Sequence, residues 1–340
     1  MSASVIGVDL GGTKIATAPL RDGELGDSLL EQTDLDDAEA LVEQVVRMVG
    51  EVRGGAIDAV GIGVPSVVEF DTGRVVSSVN IPLKDVPLRQ VLGARLGVPV
   101  FVDNDATAAA LAEAHNERLE LVARDLVILT VGTGIGGGFV LGGRIYRGAT
   151  GGAGELGHTI IGLALDGDVP PPKGFPTPGS LEYEAAGHAL DRLAAGDAAR
   201  HPDSELGRMH AGGEKVLGPD AVKAAQEGDP DALNLIERWG KRLGIGIANV
   251  INTFDPEEVV IGGGGAKAGS LLIEPAARVA RAYTVPGLGR RTTIRLARHG
   301  VRAGVLGAAL LALHELESST SGWSYASRER SDASTTEVGR

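Results

Sequence analysis

The sequence predicts an α/β protein of two lobes, and three observations lead there. The chain has 340 residues, more than one compact hydrophobic core usually serves. Short apolar runs alternate with helical periodicity, the order of elements that builds sheets flanked by helices. One pattern also occurs twice, about 120 residues apart: VIGVDLGGTKIATA from Val5 and LVILTVGTGIGGGFVL from Leu126 each read as strand, glycine turn, strand. Two lobes sharing one ancestral unit would carry such an echo.

The first lobe opens with that hairpin, Val5 to Leu10 and Ile15 to Leu20 about a glycine turn. From Asp36 to Arg53, residues such as Ala38, Leu41, Val42, Val45 and Val49 recur at three- and four-residue spacing and form one apolar helix face. Asp36 with Glu39 has the spacing of a capping box, and Gly54-Gly55 is a stop. Ala59 to Val64 reads as a buried strand, Leu88 to Leu96 as a short helix, Val98 to Val102 as a strand and Ala106 to Glu117 as an alanine-rich helix.

The second lobe starts with the strand Leu126 to Val131, then glycines, the strand Gly138 to Leu141 and a Gly142-Gly143 turn. Five prolines make Leu165 to Pro178 an irregular loop. Helices follow over Ser180 to Ala195, Asp220 to Glu227 and Asp231 to Thr253, although Gly240, Gly244 and Gly246 weigh against the last being continuous. Val259 to Gly262 is a strand, Leu271 to Tyr283 a helix, Thr293 to Leu296 a strand and Gly304 to Leu316 a final apolar helix. From Glu317 on, Ser, Thr, Arg and Glu dominate without periodicity, so a disordered tail is expected over 317–340. The expected division is 1–122 plus 304–316 as a small lobe and 123–303 as a large one.

Composition narrows the function. With 43% hydrophobic and 23% charged residues the chain can bury sizeable cores. Lys+Arg 32 against Asp+Glu 45 leaves a net charge of −13, which argues against a broad nucleic-acid or anionic-membrane surface. No cysteine occurs, which removes disulfides, thiolate zinc sites, iron–sulfur clusters and cysteine nucleophiles together. No leader-like segment precedes the strand at Val5, and no apolar run reaches the roughly 18–20 residues of a membrane span, so a cytoplasmic location is expected. Glycine, at 51 residues, is about twice its average share. It clusters after apolar runs, which suggests backbone brought close to a ligand.

Five segments could carry chemistry. Asp9-Leu10-Gly11-Gly12-Thr13-Lys14 lies in the first hairpin, where glycines let backbone N–H groups converge on an anion and Thr13 and Lys14 add donors. Asp9 would repel a phosphate unless a cation intervened, so it is a candidate holder of Mg²⁺ or its water; an ordinary tight turn with an acidic flank reads equally well. Gly132-Thr133-Gly134 precedes a strand, not a helix, so it is not a dinucleotide fingerprint and fits a second phosphate cradle better, or a glycine-rich hairpin with no ligand. Gly262-Gly263-Gly264-Gly265 follows a strand and could admit a flat base or ribose, or serve as a plain connector. Asp103-Asn104-Asp105 ends a strand and starts a helix: Asp105 suits an N-cap, and a carboxylate there could also accept a hydroxyl proton. Glu155 and His158, three residues apart between glycines, offer acceptors and a donor to sugar hydroxyls, although His158 reads equally as a metal ligand or a satisfied loop histidine; Glu182 could complete that set or simply complement a helix dipole.

Taken in order, DLGGTK at Asp9, GIGVPSVV at Gly61, NIPLKDVPL at Asn80, DNDATAAALAE at Asp103, GTGIGGG at Gly132, GAGELGH ending at His158, GSLE at Gly179 and FDPEEVVIGGG at Phe254 resemble the ROK family of bacterial sugar kinases, in particular its glucokinase branch. The resemblance covers about Val5 to Leu313. It implies a two-lobed, ribonuclease-H-like (actin/hexokinase-type) ATPase fold with a central interlobe cleft, and ATP, Mg²⁺ and glucose or a related hexose as ligands. By the same resemblance Asp105 is the catalytic base, and Asn104, Glu155, His158 and Glu182 bind the sugar hydroxyls with Asn80 nearby. Asp9, Gly11, Gly12, Thr13 and Lys14 form the first phosphate site, Gly132, Thr133 and Gly134 the second, and Gly262, Gly263, Gly264 and Gly265 line the adenosine pocket. A homodimer or homotetramer is implied too. Related kinases of the family act on N-acetylmannosamine, mannose or fructose, or use polyphosphate. Its sugar-responsive repressors carry an N-terminal winged helix-turn-helix, for which no room is expected before Val5.

Two positions depart from the family pattern. Where family members carry the zinc loop C-x-C-G-x-x-G-C-L-E, this chain has Lys173, Phe175 and Ser180 at the cysteine positions, so no structural zinc is expected and His158 is left for sugar binding. Ser66 stands where a glycine usually follows the proline, here Pro65.

Overall fold

The computed structural model describes residues 3–320, apart from 79, 164–168, 170, 171 and 173. The chain forms two compact units: Met1–Ala108 with Ala149–Gly152 and Gly304–Arg340, and Ala109–Gly148 with Ala153–Ala303.

The first unit begins with the antiparallel hairpin of β1 (Val5–Leu10) and β2 (Lys14–Arg21), extended by the short strands β3 (Glu24–Leu25) and β4 (Leu29–Gln32). Helix α1 (Ala38–Val52) follows, then β5 (Ala59–Val64), the ribbon of β6 (Ser66–Glu69) and β7 (Arg74–Ser78), helix α2 (Leu88–Leu96), β8 (Val100–Asn104) and helix α3 (Asp105–Glu113). Strands β1, β5 and β8 run parallel, in the order β3-β2-β1-β5-β8. Residue Asp37 caps α1, its side chain accepting from the Ala40 N–H, so the cap falls one residue after the expected Asp36. The buried faces of α1 and α2 pack with Ile6, Val8 and Ile62 on one side of the sheet.

The second unit repeats the pattern. Strands β9 (Leu126–Val131) and β10 (Ile135–Leu141) form its hairpin, with β11 (Arg144–Ile145) at the edge. A run of helices follows: α4 (Leu181–Ala185), α5 (Gly187–Arg200), α6 (Glu205–Ala211), α7 (Gly218–Gln226) and α8 (Pro230–Phe254). Then come β12 (Glu258–Gly262), α9 (Ser270–Tyr283), β13 (Thr293–Leu296) and α10 (Ala303–Thr320), the last belonging to the first unit. The sheet order is β11-β10-β9-β12-β13, with β9, β12 and β13 parallel. An antiparallel hairpin feeding parallel strands thus occurs once per unit, as the repeated sequence implied.

Several expectations need correcting. The expected helix over Ser180 to Ala195 breaks at Ala186, whose backbone is extended, into α4 and α5. Helix α8 is continuous through its glycines, because Gly240 and Gly244 lie against the Leu272 and Ala276 carbonyls of α9 and Gly246 against Leu181. Side chains there would keep the helices apart, and that close packing outweighs the propensity cost. Glu317 to Thr320, assigned to the tail, continue α10; 321–340 lie outside the described residues, as does most of the proline loop, Lys173 included. Residues 109–122 group with the second unit, where buried Glu113 pairs with Arg295 of β13. Residues 149–152 group with the first, where Gly151 lies on the Val68 carbonyl. Among the described residues no helix is long and apolar enough to cross a membrane.

Candidate active site

In the first unit the acidic residues gather at the carboxyl ends of the parallel strands, where open α/β sheets bind ligands. Asp9, Gly63 and Asp103 are direct neighbours across β1, β5 and β8. Asp103 is buried, and its Oδ1 accepts the Asn104 N–H at 2.8 Å. Asn104 in turn starts α3: its Oδ1 accepts from the N–H groups of Ala106 (2.9 Å) and Thr107 (3.3 Å), and its Nδ2 donates to the Ser66 carbonyl (3.3 Å). Asn104, not Asp105, therefore does the capping. Asp105 is the first residue of the helix, with Oδ1 accepting the Ala106 N–H at 2.7 Å. Its carboxylate sits where partial positive charge of the helix N-terminus is greatest.

The first hairpin turn closes on itself. The Gly11 N–H donates to the Lys14 carbonyl at 3.1 Å, and Thr33 binds the turn from outside, its N–H to the Thr13 carbonyl and its Oγ1 to the Gly11 carbonyl at 2.6 Å. The Gly11 N–H is thus already used, which leaves the exposed Thr13 and Lys14 as the turn's obvious donors. Asn80 belongs with this turn, since the Gly12 α-carbon faces its Cβ. The carboxylate of the half-buried Asp9 makes no hydrogen bond among the described residues, and burial raises its pKa from 3.8 to about 6 against the opposing pull of Lys14. A carboxylate short of counter-charge fits a divalent cation.

In the second unit Gly132, Thr133 and Gly134 form the whole turn, because Gly136 to Gly138 belong to β10. Gly132 N–H donates to Gly134 O (2.9 Å), Gly187 N–H to Gly132 O (2.8 Å) and Ile135 N–H to Glu182 Oε2 (2.8 Å). Gly132 has open space beside its α-carbon, whereas Gly134 faces the Glu182 carboxylate. Glu155 and His158 flank a single 3-10 turn, with His158 Nε2 and Glu155 Oε2 3.6 Å apart and both side chains partly exposed. The His158 ring meets Phe175 edge-on, centroids 5.3 Å apart, so the aromatic residue at a family cysteine position packs on the histidine. Among the described residues no group of three His, Cys, Asp or Glu could hold a metal ion.

The Gly262–Gly265 run divides by role. Gly262 ends β12; Gly263 has φ +79° and lies on the Val131 carbonyl; Gly265 lies against Val131 and Trp239. Only Gly264 faces open space, so it alone of the four offers bare backbone to a ligand. A 3-10 turn, Gly264–Ala268, takes in the last two of these glycines and stands between β12 and α9. Among the described residues the hydroxyl of Ser66, on the buried face of β6, has no hydrogen-bond partner, nor has that of Ser78 opposite it. Sequence reading missed Gly304, which lies against Asp9, and the Glu182–Ile135 bond; both join segments far apart in the chain, and nothing local marks them.

The description of the ROK family matches residues 5–315. The glucokinase of Halalkalibacterium halodurans is 35% identical over 310 residues, 89% of this chain and 92% of that protein. Among solved structures, a ROK family glucokinase from Streptomyces griseus in complex with glucose and AMPPNP has a TM-score of 0.75 at 32% identity, over 92% of this chain and 99% of that one. The ROK hexokinase of Thermus thermophilus also has a TM-score of 0.75, at 36% identity and the same coverage. The architecture is that of the actin/hexokinase-type ATPases.

Proposed function

Because the chain belongs to the ROK family, we propose that it is an ATP-dependent glucokinase, transferring the γ-phosphoryl group of ATP to the 6-hydroxyl of glucose. The observation that carries this reading is the likeness, across 92% of the chain, to a glucokinase holding glucose and AMPPNP.

Phosphoryl transfer asks a protein chiefly to position its reactants and to offset charge. In the first unit Thr13 and Lys14 donate to phosphate oxygens, and Asp105 accepts the proton of the attacking hydroxyl. As the sugar oxygen bonds to the γ-phosphorus, the bond to the β–γ bridging oxygen breaks and ADP leaves. Asp103 and Asn104 hold Asp105 at the head of α3 through the bonds described above. In the second unit Gly132, Thr133 and Gly134 form the other phosphate turn, Gly264 borders the adenosine, and Glu155, His158 and Glu182 take sugar hydroxyls. Asp9 is the residue for Mg²⁺, which when bound neutralises phosphate charge that Asp9 would otherwise repel. We place the enzyme in the cytoplasm as a homodimer or homotetramer.

A panel of hexoses and N-acetylhexosamines, assayed with ATP and with polyphosphate, tests the assignment. Glucose with ATP is expected to give the highest kcat/KM and glucose 6-phosphate as product. A tenfold preference for another sugar would overturn the substrate, and turnover with polyphosphate alone would overturn the donor.

A further inference from the structure

We propose that Glu182 couples the two ligands of the second unit, holding the Gly132–Gly134 turn through one carboxylate oxygen and taking a sugar hydroxyl with the other. This rests on the phosphate and sugar roles proposed above.

Three segments converge on the backbone of Ile135. Its N–H donates to Glu182 Oε2 at 2.8 Å. Its carbonyl lies so close to Gly157, in the turn between Glu155 and His158, that any side chain at Gly157 would overlap it. The Glu182 stem packs on that same glycine, since a Cβ on Gly157 would stand 3.2 Å from the Glu182 Cβ. A Cβ on Gly134 would stand 2.5 Å from Oε2. Glu182 is therefore wedged between the phosphate turn and the sugar-binding turn, touching both.

The corner that carries Glu182 also holds the far end of the phosphate turn, through Gly187 N–H to the Gly132 carbonyl. Helix α4 has only five residues, too few to be stable by itself. Its place is set by the Ser180 cap, by Leu181 N–H to the Thr159 carbonyl, and by Trp239 Nε1–H to the Ala185 carbonyl at 2.7 Å. Against this fixed base the Glu182 side chain is the adjustable link. Its Oε1 accepts no hydrogen bond among the described residues, and a carboxylate can accept from a hydroxyl and an amide together. A sugar hydroxyl on Oε1 would restrict the side chain and thereby order the phosphate turn before nucleotide arrives. Such coupling is reciprocal in binding free energy.

The test is AMPPNP binding with Mg²⁺, by calorimetry on the full chain, with and without glucose. Glucose is expected to tighten AMPPNP binding by about five- to tenfold. In Glu182→Ala the sugar-free AMPPNP affinity falls by about the same factor, and glucose no longer changes it. Glu182→Gln keeps an acceptor for Ile135 N–H and restores the sugar-free AMPPNP affinity while glucose binding stays weak. Gly134→Ala, which pushes on the carboxylate from the phosphate side, weakens glucose binding in the absence of nucleotide and serves should Glu182→Ala fail to fold. Wild-type AMPPNP affinity in sugar-free Glu182→Ala, or wild-type glucose affinity in Gly134→Ala, overturns the coupling. Absence of hexose phosphorylation by the wild type would instead refute the kinase reading.

Discussion

The Asp9 carboxyl group lies directly against Gly304, the second residue of α10, and a side chain at Gly304 would overlap it. Gly7 and Gly61 likewise lie on the α10 backbone, at Val305, Ala309 and Ala308, so this helix approaches the sheet closely at its glycines. Its N-terminus faces the acidic residue, a favourable placement for negative charge, while burial works against ionisation.

Gly304→Ala should therefore act on Asp9. Overpacking at such a contact costs about 1–3 kcal/mol, and displacement of Asp9 is expected to raise the KM for ATP by about tenfold, the loss of roughly 1.4 kcal/mol of binding. Glucose affinity without nucleotide, measured by calorimetry, should stay at the wild-type value. An unchanged KM for ATP would show that Asp9 tolerates the shift.

Asp9 also sets a pH dependence of stability. Its folded pKa of about 6 lies above the ordinary aspartate value of 3.8, so between the two the folded protein keeps a proton that the unfolded chain has released. Stability due to this group therefore falls as pH rises through that window, and the full penalty persists above it. At ~1.4 kcal/mol per pH unit the penalty is at most about 3 kcal/mol. Asp9→Asn is expected to melt above the wild type at pH 7–8 and to converge with it near pH 4, while losing turnover. A melting difference of equal size at both pH values would contradict this account.

Asn104 and Asp105 are neighbours with separable jobs. Asp105→Asn is expected to lower kcat by about 10²–10⁴-fold with glucose binding nearly intact. Asn104→Ala removes the cap of α3 and should cost about 1 kcal/mol of stability in urea unfolding. Near-normal kcat in Asp105→Asn would end its assignment as the base.

Glu113 is fully buried, and its carboxylate accepts from Arg295 at 2.6 Å and from the Arg298 and His299 N–H groups at 3.0 Å. Glu113→Ala leaves the Arg298 and His299 N–H groups without their acceptor, while Arg295 keeps Glu258 at 2.5 Å, so the expected cost is about 1–3 kcal/mol. Thermal melting reads the effect, and a loss under 1 kcal/mol would mean that water replaces the carboxylate.

The loop containing Phe175 is expected to hold no zinc, since the family's thiolate ligands are replaced. Elemental analysis of protein purified with added zinc and dialysed against chelator should find less than about a tenth of an equivalent, well below the one ion of a closed structural site. A stoichiometric ion would refute it.

Much of this molecule follows from order along the chain. Burial on both faces makes β5 a continuous apolar run, and hairpins with glycine turns announce themselves twice, because strand burial and turn geometry are local demands. The amphipathic face of α1 is legible for the same reason. Two caps were misplaced by one residue, Asp36 for Asp37 and Asp105 for Asn104, since adjacent polar residues offer equal signals and only the backbone path chooses between them. The glycines of α8 misled because their cost is local while the gain comes from α9, packed at Leu272 and Ala276.

By itself the chain's amino-acid order determined the α/β class, the doubled hairpin, the family pattern and the absence of thiolate chemistry, all of which depend on residue type and short-range spacing. Only the tertiary structure decided that Glu182 binds Ile135, that Gly304 leaves room for Asp9, and that Gly264 alone of its run has an open face. The first two join residues 47 and 295 positions apart. They depend on which backbone groups are already occupied and which surfaces are already filled, and packing settles both only once the sheets are formed.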